Sequence, residues 1–147
     1  MPEVLVRKAE PGDIGEILEI ERLSFPTCWM EDFFRREFHR PVTRLWLAYL
    51  SGSLRVAGYL SALRVLDELH LMQIATHPAC RRRGVASALL EYAERDEHGL
   101  GIILLEVRES NEAARSFYDK MGFECVGRRN RYYSDTGEDA LLFNKEL

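Results

Sequence analysis

The segment 102–107 is the feature that most constrains the fold of this chain. It is a run of apolar residues interrupted by Glu106, which is typical of a strand buried inside a sheet. A helical pattern precedes the run over 84–98, and another follows it from Asn111. Strand and helix patterns that alternate in this way favour an α/β fold, in which helices cover a central sheet.

The remaining patterns complete one mixed sheet of about seven strands with helices on both faces. Further strands are predicted over 4–7, 46–50, 56–65, 69–75, 125–133 and 140–144. Asp13 is the predicted N-cap of a first helix that ends at Ser24, and a second short helix is predicted after Trp29. Since no repeat or linker interrupts these patterns, 1–147 is predicted to be a single domain.

Composition bounds what such a domain binds. With 24 acidic and 20 basic residues, the net charge is −4, which excludes a basic nucleic-acid coat, and we expect no nucleic-acid partner. The apolar runs are too short for a membrane span, so we expect neither a membrane partner nor a secretory signal. Three widely spaced cysteines suit a reducing, cytoplasmic compartment. The four histidines lack ligand spacing, and we expect no metal.

The first chemical motif is RRRGVA at 81–86, between a predicted strand and a predicted helix. Backbone N–H groups at a helix N-terminus form an anion site, and arginines add positive charge. The segment has neither the Gly-Lys-Ser/Thr of a Walker loop nor the three-glycine spacing of a dinucleotide site. On this pattern alone, a phosphate-binding turn and a solvated basic turn are both open.

Three further residues carry possible chemistry. Glu106 lies near the carboxyl end of its apolar strand, where open α/β sheets bind ligands and where desolvation raises the pKa of a carboxylate. The alternative is a glutamate at an edge, paired with an arginine. Asn111 or Ser110 is expected to cap the next helix, and Asn111 is also a candidate ligand contact. Tyr118 lies on the apolar stripe of that helix, which by itself favours a core aromatic residue.

Together these motifs resemble the GNAT superfamily of acetyl-CoA-dependent N-acetyltransferases, over essentially the whole chain. The 81–86 loop matches the family's pyrophosphate-binding pattern, and Asn111 with FY at 117–118 and MGF at 121–123 matches the segment after its splayed fifth strand. The resemblance implies a splay between the fourth and fifth strands, acetyl-CoA as co-substrate and no metal. The implied CoA-binding residues are Ile74, Ala75, Thr76, Arg81, Arg82, Arg83, Gly84, Val85, Ala86, Ser87 and Asn111.

Within the superfamily, the chain is most similar to the RimI group of ribosomal-protein-alanine N-acetyltransferases. The similarity lies in LDE at 66–68, LLEVRESN at 104–111, RRNRYY at 128–133 and GEDA at 137–140. In that group, the glutamate of the Leu-Glu-Val-Arg segment is the proposed base and the tyrosine seven residues beyond the asparagine is the proposed acid. The resemblance therefore implies Glu106 as base and Tyr118 as acid.

The resemblance also implies how the acceptor is held. An amine attacks the thioester directly, and backbone N–H groups of 73–76 bind the oxyanion. Trp29, Tyr132 and Tyr133 are the implied acceptor contacts, although the two tyrosines are equally explained as strand aromatics packing across a hairpin. Acidic residues near these loops would attract a basic N-terminal segment, or else form a solvated face. They are Glu31, Asp32, Asp135, Glu138 and Asp139.

We therefore expect an enzyme that acetylates the N-terminal α-amine of a protein or peptide, such as a small-subunit ribosomal protein. A monomer or weak dimer is expected. The first alternative keeps the chemistry and changes the acceptor to a lysine side chain, a polyamine or another small amine. The second is a non-enzymatic acyl-CoA-binding module, and the presence of both Glu106 and Tyr118 argues against it.

Overall fold

The computed structural model describes residues 3–24, 35–53 and 55–147. Within those ranges lie seven strands, three α-helices, a further helical stretch over 35–37 and two single-turn 3-10 helices. The strands are β1 (Val4–Lys8), β2 (Thr43–Leu50), β3 (Val56–Val65), β4 (Glu68–Thr76), β5 (Ile102–Arg108), β6 (Glu124–Arg129) and β7 (Ala140–Glu146). The helices are α1 (Ile14–Ser24), α2 (Val85–Asp96) and α3 (Glu112–Lys120), and the 3-10 turns are Pro11–Asp13 and Pro78–Cys80.

The strands form a mixed sheet in the order β1-β2-β3-β4-β5-β7-β6. The β4–β5 pair is parallel, whereas β1–β2, β2–β3, β5–β7 and β6–β7 are antiparallel. Parallel pairing joins Glu68 to Ile102 and extends to His70 and Leu104, although both strands run on beyond this point. The predicted seven-stranded mixed sheet and its splay between the fourth and fifth strands are therefore confirmed.

The chain divides into two compact units, and β4 contributes to both. Met1–Arg64 with Met72–His98 forms the first unit, and Val65–Leu71 with Gly99–Leu147 forms the second. The single domain expected over 1–147 stays a prediction. No helix in the described ranges is long and apolar enough to span a membrane.

In the first unit, α1 packs against one face of the strands. Ile14, Ile17 and Ile20 recur at helical spacing and are buried with Leu45 and Leu47. Each fully buried side chain of this size stabilises the fold by about 1.5–3 kcal/mol. The apolar stripe of this helix therefore fixes which of its faces meets β2.

The start of α1 differs from the prediction that Asp13 is its N-cap. Glu10 is the cap of the 3-10 turn, and Asp13 accepts the Glu10 N–H at 2.7 Å in a reciprocal capping box. Asp13 also binds both guanidinium nitrogens of Arg7 at 3.0 Å. The Asp13 carboxylate thus caps the 3-10 turn that leads into α1, although Asp13 is the last residue of that turn.

The opposite face of these strands is covered by α2, so helices lie on both faces as predicted. Trp46 is fully buried, and its indole N–H donates to Asp96 Oδ2 at 2.9 Å. A Cβ on Gly58 would lie 2.7 Å from both the Ala75 carbonyl oxygen and Val85 Cγ1. Only glycine allows β3 to lie this close to β4 and to the start of α2.

In the second unit, α3 packs mainly through Tyr118, whose ring meets those of Phe123 and Phe143. Within this helix Tyr118 is buried, Ala114 and Phe117 are half-buried, and Ala113 is exposed. The strand predicted over 125–133 ends at Arg129, and Arg131 has a left-handed φ of 49° that is incompatible with an extended strand. Of the helix predicted after Trp29, the part up to residue 34 lies outside the described ranges, and 35–37 is helical.

Candidate functional site

The turn before α2 has the backbone geometry of an anion site. Arg82 has a φ of +63° and Gly84 a φ of +75°, so two residues of this four-residue turn are left-handed. Gly84 directly precedes the helical residue Val85, and a left-handed residue beside a right-handed one is an arrangement found in backbone anion sites. Glycine adopts this conformation without strain, and Gly84 is the N-cap of α2.

The first turn of α2 adds N–H donors. Ala88 N–H bonds to the Gly84 carbonyl at 3.0 Å, whereas the N–H groups of Val85, Ala86 and Ser87 precede the first intrahelical bond. No side chain of the described residues caps Gly84. Three donors at the positive end of a helix dipole suit a diphosphate.

The arginine side chains of 81–83 are exposed beside these donors. Ile74, Ala75 and Thr76 form the end of β4, where Ala75 is buried and its two neighbours are half-buried. The 3-10 turn Pro78–Cys80 links this strand end to the arginines. The structure therefore brings the predicted CoA-binding residues of 74–87 together in the first unit, and the choice of a phosphate-binding turn is consistent with their geometry.

Glu106 occupies an exposed position on β5 in the second unit. Its neighbours Leu105 and Val107 are buried, and strand alternation turns Glu106 to the opposite face. The carboxylate lies 3.5 Å from Arg129 Nε, and its side chain is 31% exposed. The expectation that Glu106 is desolvated is therefore wrong, and the pairing with an arginine is observed.

A second group contacts the same carboxylate. The Tyr132 hydroxyl donates a hydrogen bond to Glu106, which raises the pKa of this tyrosine. Arg129 lies over the Tyr132 ring at 5.5 Å from its centroid. Glu106, Arg129 and Tyr132 thus form one contact cluster, in which the carboxylate remains open to water.

Tyr118 and Asn111 lie on α3. The Tyr118 ring is 6% exposed, with its centroid 5.1 Å from that of Phe117 and 5.4 Å from that of Phe123. Burial raises the pKa of its phenol, so the hydroxyl stays protonated at neutral pH. The same burial is typical of a core aromatic residue, and it makes the phenol a weaker acid. Asn111 caps the helix as predicted, because its Oδ1 accepts the Ala114 N–H at 3.1 Å.

Tyr132 and Tyr133 lie in the β6–β7 loop, residues 130–139, and not on a strand. Their rings meet edge to face with centroids 5.2 Å apart, and Tyr132 is 47% exposed. The interpretation of these residues as strand aromatics across a hairpin is therefore wrong. Trp29, the third predicted acceptor contact, lies outside the described residues, as do Glu31 and Asp32.

The acidic residues of the β6–β7 loop are paired with arginines. Both oxygens of Asp135 bind Arg108, at 3.0 and 2.9 Å, which lowers the pKa of Asp135. Asp139 accepts the Arg131 backbone N–H and binds the guanidinium of Arg128. This pairing weakens any attraction of the loop for a basic peptide segment.

Sequence reasoning did not predict that Arg108 pairs with the β6–β7 loop or that Arg129 pairs with Glu106. Arg108 pairs with a residue 27 positions away, so no local spacing links the two. Among the residues that the structure describes, no three His, Cys, Asp or Glu side chains are grouped as metal ligands.

Comparison with known families identifies the fold and chemistry together. The sequence pattern of the acetyltransferase (GNAT) family matches residues 14–123. The chain belongs to this family. Its N-acetyltransferase class, predicted from the sequence, is thereby confirmed, and GNAT architecture accounts for the parallel β4–β5 pair that ends after three residues.

The GNAT relatives include proteins named for N-terminal acetylation. A Bacillus subtilis protein, provisionally named a ribosomal protein bS18-alanine N-acetyltransferase, is 35% identical over 143 residues, which are 93% of this chain and 91% of that protein. An N-alpha-acetyltransferase of Sulfurisphaera tokodaii is 32% identical over 160 residues, covering 99% and 94%. The crystal structure of the Escherichia coli ribosomal-protein-S18-alanine N-acetyltransferase superposes with a TM-score of 0.87 at 29% identity, covering 99% and 94%. The predicted similarity to the RimI group is confirmed.

Proposed function

We propose that this GNAT-family chain transfers the acetyl group of acetyl-CoA to the N-terminal α-amine of a protein. The observation that carries the proposal is its similarity, over at least 91% of their lengths, to relatives named for acetylating alanine N-termini or α-amines. A ribosomal protein is the expected acceptor. The free thiols Cys80 and Cys125 suit a cytoplasmic location.

The turn and first helical residues of 81–87 would bind the diphosphate of CoA. The N–H groups of Val85, Ala86 and Ser87 donate to phosphate oxygens, and the exposed arginines add charge that attracts the polyanion. Ile74, Ala75 and Thr76 would bind the pantetheine arm through their backbone. In the same strand, backbone N–H groups of 73–76 would stabilise the oxyanion formed during transfer.

Glu106 would act as general base. A protein α-amine has a pKa of about 7.7–8.0, against about 10.4 for lysine, so an exposed carboxylate suffices to take its proton. The hydrogen bond from Tyr132 orients that carboxylate toward one direction of approach. An α-amine is thus easier to deprotonate at neutral pH than a lysine side chain.

In the proposed acetyl transfer, two side chains, Glu106 and Tyr118, move the protons. The amine nitrogen bonds to the thioester carbon, and the carbon–sulfur bond breaks. The ammonium loses two protons in forming the amide: one leaves through Glu106 to solvent, and the other restores the proton that Tyr118 gives to the departing thiolate. The Tyr118 hydroxyl is protonated at neutral pH, so its proton is present when the thiolate forms.

Intact-mass analysis with two peptides tests the proposal. One peptide carries a free N-terminal alanine and no lysine, and the other is blocked at its N-terminus and contains one lysine. Acetyl-CoA should add one acetyl group to the first peptide alone. Modification of the second alone would move the assignment to lysine acetylation, and release of CoA with polyamines alone would move it to small amines.

A further inference from the structure

We propose that Arg108 is a positioning residue that holds the β6–β7 loop in the form that receives the acceptor peptide. The proposal rests on the proposed function, since it assigns a role in peptide binding. It concerns contacts within the second unit, where Arg108 is the last residue of β5 and the loop is 130–139. Arg108 would act through the loop and need not contact the peptide.

The first contact is a bidentate ion pair. Arg108 Nη1 and Nη2 donate to the two oxygens of Asp135 at 3.0 and 2.9 Å, and Nη1 also lies 3.3 Å from Thr136 Oγ1. A guanidinium fork fits two carboxylate oxygens in a single orientation, whereas lysine makes a single-point contact. The tip of the loop is thereby fixed relative to β5.

The second contact joins the loop to the start of α3. Glu138 Oε2 lies 3.4 Å from Arg108 Nη1, while its Oε1 accepts the Ser110 backbone N–H at 3.1 Å. Hydrogen bonds from Ser110 and Arg108 lower the pKa of Glu138, so it is ionised at neutral pH. Ser110 directly precedes Asn111, the N-cap of the helix that carries Tyr118.

The third contact orients an aromatic ring. The Arg108 guanidinium carbon lies 4.0 Å from the centroid of the Tyr133 ring, within the range of a cation–π interaction. Tyr133 in turn meets Tyr132, whose hydroxyl binds Glu106. Arg108 is therefore connected to the proposed base through two tyrosines whose rings meet edge to face.

Steady-state kinetics of the full chain test this role. Arg108→Met keeps a side chain of similar length and removes all three contacts. We expect its KM for the alanine peptide to rise about tenfold, with the KM for acetyl-CoA changed less than about twofold. Arg108→Lys should restore only part of the peptide affinity, because it keeps the charge and loses the fork. Arg55→Met removes an exposed arginine paired with Glu19 in the first unit, and should leave both KM values unchanged.

A double-mutant cycle separates positioning from a general loss of stability. If Arg108 acts through the loop, Asp135→Asn should also raise the peptide KM, and the double variant should be less impaired than the product of the single effects. Equal changes in both KM values, a fall in kcat alone, or an unchanged peptide KM would overturn the proposal. Thermal unfolding of each variant shows whether it is folded. If Arg108→Met does not fold, the milder Asp135→Asn variant still tests the proposal.

Hydrogen exchange distinguishes this failure from failure of the proposed function. Amides of Tyr133 and Gly137, which bond to Glu138 and Tyr133 carbonyls, should lose protection about tenfold in Arg108→Met whether or not any peptide is acetylated. If wild-type protein modifies no peptide but protection falls, the loop contact stands and the acceptor assignment fails. If protection is unchanged, the positioning role of Arg108 is overturned.

Discussion

The turn at 81–84 and the β6–β7 loop are built in opposite ways. The turn takes its shape from left-handed backbone at Arg82 and Gly84, and its proposed donors are main-chain N–H groups. The β6–β7 loop takes its shape from side chains, through Arg108 bound to Asp135 and Glu138. A backbone site depends on local sequence, whereas a side-chain site depends on residues brought together by the fold.

The largest effect should come from Glu106, which Tyr132 of the β6–β7 loop contacts. Glu106→Gln keeps the shape of the side chain and removes its ability to take a proton, so kcat for the alanine peptide should fall by about 100-fold or more. Burst and steady-state assays of CoA release measure this. Glu124→Gln, an exposed glutamate on β6, is the matched control. A Glu106→Gln enzyme with full activity would remove Glu106 from the mechanism.

Tyr118 separates packing from chemistry within the same unit. Tyr118→Phe keeps the ring that packs on Phe123 and Phe143 and removes only the hydroxyl. We expect kcat to fall about 10- to 100-fold while the Kd for acetyl-CoA, measured by calorimetry, is nearly unchanged. Wild-type turnover in this variant would leave Tyr118 as a core aromatic residue alone.

For the turn at 81–84, we predict that a change of backbone conformation weakens the use of acetyl-CoA. A Cβ on Gly84 would meet no atom within 4 Å, yet its φ of +75° is unfavourable for any β-branched residue. Gly84→Val should therefore raise the KM for acetyl-CoA about tenfold by changing the turn. Gly52→Val, at φ +81° in another open turn, introduces the same strain elsewhere, and its acetyl-CoA KM should stay normal. Similar KM values in both variants would contradict the backbone site.

The smallest expected effect is the pH response of the β6–β7 loop. Contacts with Arg108 lower the pKa of Asp135, and backbone and arginine contacts lower the pKa of Asp139. A carboxylate whose pKa is lower in the folded state than in the unfolded state, where it is about 4, stabilises the fold at pH values above about 4. This stabilisation is lost as the pH falls through the pKa of the folded state. Protection of loop amides, corrected for intrinsic exchange rates, should fall below about pH 4, while that of α2 changes less.

The same contrast explains how far the sequence led. The seven strands and the cap at Asn111 each depend on residues within a short stretch, so local patterns predicted them. The contact of Glu106 with Tyr132 joins residues far apart in the chain, and Tyr132 lies beyond the end of β6, next to the left-handed Arg131. The sequence pattern predicted that β6 continues to Tyr133, because such a pattern does not reveal that a single residue, Arg131, adopts a left-handed φ.

Gly58 makes the turn at 81–84 sensitive to a distant position. Its missing side chain lets β3 lie against both the Ala75 carbonyl and Val85, the first residue of α2. Any larger residue there would push the strand end and the helix start apart, and so would move the residues on either side of the turn. A random mutagenesis screen for defects in acetyl-CoA use should therefore recover Gly58, although this glycine has no functional group and precedes the turn by more than 20 residues.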